Sequence, residues 1–423
     1  MIQILDAGRV PLPEILARTE DTRDVSGIVA GIIEDVRKNG DAALLRYARE
    51  FDGAELDALE VPRERLDGAL ADLDPALRSV LEEAAENIRS FHRRQVQNGF
   101  VVSERNGVVL GQKVTPVDRA GVYIPGGTAP LPSTVLMDCI PAKIAGCPEI
   151  VVVSPPTCGG DISPAILAAA RIAGADRVFR CGGAQAVAAL AYGTESVPKA
   201  DKIVGPGNAF VAEAKRQVFG LVGIDMIAGP SEILVIADAN SDARHLAADL
   251  LSQAEHDKNA CAVLITDSAL IARAVAGELE AQLASLPRRE IARASLEANG
   301  RIILTRDIPE AIRIANALAP EHLELCVDNP FDCLDQVKNA GSIFLGRSCP
   351  EAVGDYFAGA NHTLPTGGTA RFSSPLSVED FVKKSQFIYY SSSALSAASG
   401  KIAAFARQEG LEGHARSALA RQG

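Results

Sequence analysis

The chain has no tryptophan, and aromatic residues make up only 4% of its 423 residues. Its cores must therefore be filled mainly by Ala, Val, Ile and Leu. No Cys-x-x-Cys pair occurs among the eight cysteines, which removes the usual thiolate zinc site and the dithiol redox motif. Neither G-x-G-x-x-G nor G-x-x-x-x-G-K-[ST] is present, so the common dinucleotide fingerprint and the P-loop are both missing. The metalloprotease pattern H-E-x-x-H is also absent. The most apolar stretch, Ile162 to Ala175, is interrupted by Arg171 and is too short to span a bilayer. The N-terminus lacks a charged segment leading into an apolar one, so no secretory signal is expected. A net charge of −12, with no basic stripe interleaved with aromatics, argues against nucleic-acid binding. Irregular cysteine spacing suits reduced, mostly buried thiols and a cytoplasmic location.

What is present is ordinary for a globular protein, 47% hydrophobic and 23% charged, and long enough for two or three packed units. Val25, Ile28, Val29, Ile32, Ile33 and Val36 recur with helical spacing between Asp24 and Asn39, and Asn39-Gly40 reads as the end of that helix. A second amphipathic stretch runs from Pro75 to about Gln97. From about residue 117, short β-branched runs alternate with Ala-rich helices: 117–124, 149–154, 177–180 and 202–204 read as strands. A second series starts near Glu232, with strands at 233–237, 262–266, 301–304, 323–327 and 342–345. Strands that alternate with helices and are apolar throughout indicate parallel sheets buried on both faces. The predicted fold class is α/β: two tandem, incomplete Rossmann-like parallel-sheet units, a helical N-terminal region and a small C-terminal helical tail. The expected division is an N-terminal segment 1–20, a discontinuous first α/β domain of 21–122 and 230–372, a second α/β domain of 123–229, and a tail of 373–423. That tail is too small to fold alone and is expected to dock on something larger.

Two Gly/Pro loops sit where strands lead into helices, Tyr123-Ile124-Pro125-Gly126-Gly127 and Gly205-Pro206-Gly207-Asn208. Exposed backbone N–H groups at such a place suit an anion such as a pyrophosphate, although plain turns have the same spacing. Among the six histidines, His92 lies on a charged helix and reads as surface, and His245 reads as structural. His245 and His256 stand about 16 Å apart along a helix, too far to share a metal. Gln253 and His256 face the same way, which also fits a polar helix terminus where the dipole favours histidine. Glu321 and His322 place an acid beside an imidazole just before a strand, where they can divide two proton transfers or be unrelated polar residues. Asn361-His362-Thr363 reads as a polar turn with no obvious partner. A metal site does not follow from these residues alone.

Taken in order, the motifs resemble the histidinol dehydrogenase family over nearly the whole chain. The stretches that carry the resemblance include 121–127, 205–208, Ala228-Gly229-Pro230-Ser231-Glu232, Ser252-Gln253-Ala254-Glu255-His256-Asp257 and Ala319-Pro320-Glu321-His322-Leu323. Gly354-Asp355-Tyr356, Asn361-His362-Thr363-Leu364-Pro365-Thr366 and Glu409-Gly410-Leu411-Glu412-Gly413-His414 complete the series. The resemblance implies one zinc per subunit held by Gln253, His256, Asp355 and His414, with NAD contacted by Tyr123, Gln185 and Asn208. It implies four-electron oxidation of L-histidinol to L-histidine through the aldehyde, at the end of histidine biosynthesis. Glu321 and His322 are the implied catalytic pair: His322 takes the hydroxyl proton and Glu321 activates water. The same groups, with Ser231, Gln253, His256, Asp355, Glu409 and His414, are the implied substrate contacts. Glu409 and His414 are expected from the partner subunit of a domain-swapped homodimer. The alternatives are a relative that oxidises a sulfonated diol or another amino alcohol, and a zinc hydrolase, which would turn over without NAD.

Overall fold

The computed structural model describes residues 2–18, 24–126 and 130–421. Gly127, the last residue of the first Gly/Pro loop, lies outside them. The chain begins with strand β1 (Gln3–Asp6) and a turn of helix, α1 (Leu12–Ile15), followed by three helices, α2 (Ser26–Asp52), α3 (Arg63–Ala71) and α4 (Pro75–His92). Strands β2 (Phe100–Val102) and β3 (Val108–Pro116) come next. The first alternating series is β4 (Arg119–Tyr123), α5 (Pro132–Ala145), β5 (Glu149–Ser154), α6 (Pro164–Ala173), β6 (Arg177–Arg180), α7 (Gly183–Tyr192), β7 (Lys202–Val204), α8 (Ala209–Val218) and β8 (Gly223–Ile224). The second is β9 (Glu232–Ala237), α9 (Ala243–Ala254), β10 (Cys261–Thr266), α10 (Ala269–Leu283), α11 (Arg289–Ala298), β11 (Arg301–Leu304), α12 (Ile308–Leu318), β12 (His322–Cys326), α13 (Pro330–Leu334), β13 (Ser342–Leu345) and α14 (Glu351–Tyr356). Strand β14 (Val382–Tyr390) and helices α15 (Ser392–Gln408) and α16 (Glu412–Leu419) close the chain.

Each series folds into its own parallel sheet. The first is ordered β6-β5-β4-β7-β8, and the second β11-β10-β9-β12-β13 with β1 added beside β11. In both, the strand order reverses beside the first strand of the series, β4 or β9, which creates a crevice at the reversal. The expected two α/β units are therefore present. A third sheet, β14-β3-β2, is antiparallel and was not legible in the sequence. There β14 pairs with β3 from Val382 opposite Pro116 to Tyr390 opposite Val108, so this part of the tail is built into a sheet of its own chain.

The expected domain division needs two corrections. Residues 21–122 were grouped with 230–372, but α2 packs on α7 and α8, α3 on α6, and α4 on α5 and α6. Val29, Ile32, Val36 and Leu44 of α2 share one buried cluster with α7 and α8, while Leu66, Leu81 and Ile88 share another with α5 and α6. The N-terminal helices thus cover both faces of the first sheet, and their apolar stripes gave no sign of which sheet they would choose. The segment 1–20, expected to stand apart, adds β1 to the edge of the second sheet. The predicted stop at Asn39-Gly40 is a kink: Gly40 takes φ 51° and ψ −132°, and helix resumes to Asp52. Gly40 also lies so close to Glu195 that a Cβ there would come within 2.1 Å of its carboxylate. All eight cysteines are free, and only Cys158 is exposed.

A short loop joins the two units. Asn361 Nδ2 donates to the Met137 carbonyl at 2.6 Å, Thr363 Oγ1 donates to Asp138 Oδ1 at 2.7 Å, and Thr134 Oγ1 lies 3.1 Å from His362 Nε2. Asp138 is wholly buried, and its second oxygen has no hydrogen-bond partner. Burial pushes its pKa up to about 8, against the opposing effect of the Thr363 hydroxyl. In the unfolded chain the group releases its proton near the ordinary 3.8, whereas the folded state keeps it to about 8. The stability this group contributes is thus complete in acid and is lost as pH rises through that interval. Asp138→Asn retains the acceptor for Thr363 and does not titrate. It should flatten the fall in melting temperature between about pH 4 and pH 8 and melt above the parent at the upper end. Parallel melting curves across that range would refute this assignment.

Candidate active site

A cleft of about 970 Å³ opens between the two units. One wall is the carboxyl edge of the first sheet: Pro125 after β4, and Gly205 to Ala209 between β7 and α8. The facing wall is the amino edge of the second sheet, with Ser231 and Glu232 at the start of β9, Cys261 at the start of β10 and Glu321 just before β12. His256, His362 and Thr363 complete that side.

The Gly205 loop is shaped by backbone and buried charge. Gly205 has φ +113°, and a Cβ there would lie 2.1 Å from the Tyr123 carbonyl oxygen. Its N–H donates to Asp225 Oδ2 at 2.8 Å, and its carbonyl accepts from Lys215 Nζ at 3.0 Å. Lys215 and Asp225 are ion-paired and almost fully buried, so one charge pair clamps both ends of the Gly205 peptide. Asn208 caps α8 by accepting from the N–H groups of Phe210 and Val211 through Oδ1, which leaves its amide nitrogen free to meet a ligand.

On the opposite wall, Glu321 and His322 are buried, and Glu321 Oε2 lies 3.7 Å from His322 Nδ1. Glu321 Oε2 accepts the Glu232 N–H at 2.8 Å, and His322 Nδ1 stands 3.0 Å from the Glu232 carbonyl. A carbonyl only accepts, so Nδ1 carries the proton, and in the neutral ring Nε2 holds the lone pair. His322 Nε2 makes no hydrogen bond and lies 3.4 Å from Asp355 Oδ1. Burial pushes Glu321 up to about 7, opposed by His322. Burial also pushes His322 down, but Glu321, Asp355 and Glu351 outweigh it and hold the imidazole near 10. For Asp355 burial acts upward, and the imidazoles of His322 and His362 reverse it, keeping the carboxyl well below its usual range.

His322, Glu351 and Asp355 each offer a ligand atom, and these atoms lie within 4.8 Å of one another, a spacing suited to a cation. Gln253, one of the expected ligands, is buried on α9, and its Oε1 has no hydrogen-bond partner. A buried carbonyl oxygen without a donor is a costly arrangement in a protein alone and a natural one beside a cation. His256 follows α9 at the mouth of the cleft, where burial lowers its pKa against the charge of Asp355, so its ring is available in neutral form. The donor set therefore fits a divalent ion.

The other expected residues are placed differently. Ser231 and Asn208 line the cleft with His256 and Glu321; His322, Gln253 and Asp355 do not, nor do Tyr123 and Gln185. Those last two are buried together at the start of α7, where the Tyr123 hydroxyl accepts the Gly183 N–H at 3.1 Å. Glu409 and His414 are exposed on the C-terminal tail and do not line the cleft of their own chain. His92, read as surface, is fully buried with Nδ1 2.7 Å from Gln95 Oε1, because the end of α4 turns inward. His362, read as having no partner, stands 3.0 Å from the Asp355 carbonyl as well as beside Thr134. Glu351 was not singled out: it is the first residue of α14, one helical turn before Asp355, and that i, i+4 spacing is the signal that could have found it.

The histidinol dehydrogenase family model matches residues 16–422. The chain belongs to the histidinol dehydrogenase family. It is 54% identical to the histidinol dehydrogenase of Geobacter metallireducens over 411 residues, covering 96% of this chain and 94% of that one. The Bacillus subtilis histidinol dehydrogenase is also 54% identical, over 406 residues, with 96% and 94% covered. The crystal structure of histidinol dehydrogenase from Elizabethkingia anophelis superposes with a TM-score of 0.94 at 38% identity, covering 99% of this chain and 98% of that one. Family membership makes the chain an oxidoreductase. No helix among the described residues is long and apolar enough to cross a membrane.

Gly205→Ala tests the loop. The added Cβ meets the Tyr123 carbonyl in a backbone region that L residues avoid, so the variant should lose about 1–3 kcal/mol or more. Its urea midpoint should fall accordingly; an unchanged midpoint would show that the loop relaxes freely.

Proposed function

We propose that this chain is a cytoplasmic, zinc-dependent, NAD-linked enzyme that oxidises L-histidinol to L-histidine through the aldehyde. The observation that carries the reading is the buried Glu321–His322 pair, fixed by one main chain, with Glu321 lining the cleft and His322 Nε2 facing Asp355. The family's name supplies the substrate, and the residues supply the roles.

Gln253, His256 and Asp355 are the proposed metal ligands within the chain, with His414 of a second copy completing the set. Bound zinc would orient the substrate and bound NAD would accept two electrons in each of two oxidations. Tyr123, Gln185 and Asn208 are the proposed NAD residues, and Ser231 and Glu409 are proposed to bind substrate. His322 keeps its Nδ1 proton on the Glu232 carbonyl; the carboxylates around it favour the protonated ring, and a cation held by Asp355 would offset them and free Nε2 to take the proton of the alcohol. Glu321, with its pKa raised to about 7, is suited to activating water for hydration of the aldehyde, because it exchanges a proton near neutrality. Burial keeps bulk water away from both groups, so each proton goes to a defined atom.

A second copy is favoured by the exposed apolar residues Phe387, Ile388 and Tyr389 on β14 and Phe405 on α15, on the same tail that bears Glu409 and His414. The proposed assembly is a homodimer that exchanges its tails.

The test is NADH release from L-histidinol with and without a chelator. Two NADH per substrate are expected from the two-step chemistry, with activity removed by the chelator and restored by zinc. No NADH from metal-loaded protein would overturn the reading. Glu321→Gln should slow conversion of aldehyde to acid more than oxidation of the alcohol; equal losses would refute the division of roles.

A further inference from the structure

The two acid–base groups share one anchor, the main chain of Glu232, so whatever fixes Glu232 fixes both. Glu232 is the first residue of β9, and its side chain is only 8% exposed. A carboxylate buried that deeply needs a partner, and Arg18 provides it from the N-terminal segment. Arg18 Nε lies 2.9 Å from Glu232 Oε1, and Nη2 donates to Oε2 at 3.0 Å, a two-point contact. The same Nη2 also donates to the Leu318 carbonyl at 2.8 Å.

That second contact falls at a strained place. Leu318 ends α12, and the next residue, Ala319, has φ 50°, the one positive φ outside glycine among the described residues. Ala319 is followed by Pro320, Glu321 and His322, so the turn that delivers both groups begins with a conformation that alanine avoids. Arg18 therefore ties the start of β9 to the root of the turn before β12. The segment bearing it is itself secured: β1 pairs with β11, and Arg301 Nη1 donates to the carbonyls of Ile15 and Ala17.

We propose that Arg18 and Glu232, which both line the cleft, form a positioning pair that holds Glu321 and His322 in their working geometry. Neither side chain is assigned a contact with the reacting atoms; they act through the Glu232 main chain and the Leu318 carbonyl. The pair also gives the N-terminal segment a role beyond adding an edge strand. The inference rests on the proposed oxidation for its kinetic consequence but not for its structural one.

The test compares Arg18→Ala, Arg18→Lys and the double variant Arg18→Ala/Glu232→Gln with the parent. Arg18→Ala leaves a buried carboxylate unpaired beside Glu321, and kcat should fall about 10–100-fold with KM changed little, as expected when acid–base groups shift by a fraction of an ångström. Arg18→Lys keeps the charge but not the two-point geometry and should lie between. The double variant removes the orphaned charge and should recover much of the lost kcat. Independently of any substrate, the His322 Nδ1–H resonance of a sample labelled at the histidine ring nitrogens should shift in Arg18→Ala and return in the double variant. A kcat loss and shift reversed in the double variant supports the pair. An unchanged kcat with an unchanged resonance, a rise in KM alone, or a loss that Glu232→Gln does not relieve overturns it. If the parent itself yields no NADH from L-histidinol, the proposed reaction fails, and the resonance alone still decides the positioning claim.

Discussion

Three hydrogen bonds between α5 and the loop at 361–363 decide how the two sheets face each other. In a doubly wound unit the ligand crevice lies outside the carboxyl ends of the strands, where the order reverses. The first sheet obeys this rule, with Pro125 and the Gly205 loop at that edge. The second sheet has the same strand order but offers its amino edge to the cleft. Two sheets turned the same way toward one ligand would each contribute loops that enter helices. Here one side contributes such loops, and the other contributes the first residues of central strands. The seam at α5 makes that pairing possible, because it fixes the end of α14 and the loop after it against the first unit.

The amino edge has a consequence for chemistry. Residues at the beginning of β9 and β12 are held by neighbours on both sides within a parallel sheet, so their main chain has little freedom. Glu232 can then serve two side chains at once, as donor to Glu321 and acceptor from His322. The electrostatic price of this crowding is high. Glu321, Glu351 and Asp355 gather around His322, and burial pushes Glu351 up to about 8. Carboxyl groups in such a place must keep protons or share a cation. The unpartnered Gln253 Oε1 points the same way, since an amide oxygen is a ligand that adds no further charge.

The parallel strands were legible because burial on both faces leaves an uninterrupted apolar run, and 149–154, 177–180, 202–204, 301–304 and 342–345 keep the bounds read from the sequence. Strands β1, β2, β3 and β14 were not. β14 reads Val-Lys-Lys-Ser-Gln-Phe-Ile-Tyr-Tyr, with most of its residues exposed, and its partner β3 is remote in sequence. At Gly111 on β3 the missing side chain makes room for the ring of Phe387, a contact visible only once the strands are paired. In the site, adjacency made Glu321 and His322 stand out, whereas Gln253, Asp355 and the tail residues came from the order of family motifs. Glu232, Thr134 and Arg18 gave no local signal, because what they do depends on residues brought together by the fold. The same reason defeats the reading of His92 and His362, whose surroundings are tertiary.

The shortage of aromatics bears on how rigid these arrangements are. Helix α7 is buried from Ala184 to Leu190 and onward to Ala191, with mostly alanine against the sheet. Small side chains bring helix and strand backbones close, and a Cβ at Gly121 on β4 would meet Leu190 at 2.9 Å. Layers packed this closely set the position of main-chain groups more tightly than layers separated by large, adjustable rings. That matters where function depends on a peptide unit, as at Gly205 and Glu232. The C-terminal tail is the contrast: α15 packs chiefly on α16, and much of its apolar surface is open. The acid–base groups are therefore fixed entirely within one chain by close-packed backbone, while Glu409 and His414 sit on the element least constrained by it. The groups that fix Glu321 and His322, the Glu232 main chain and Asp355, all lie outside that tail.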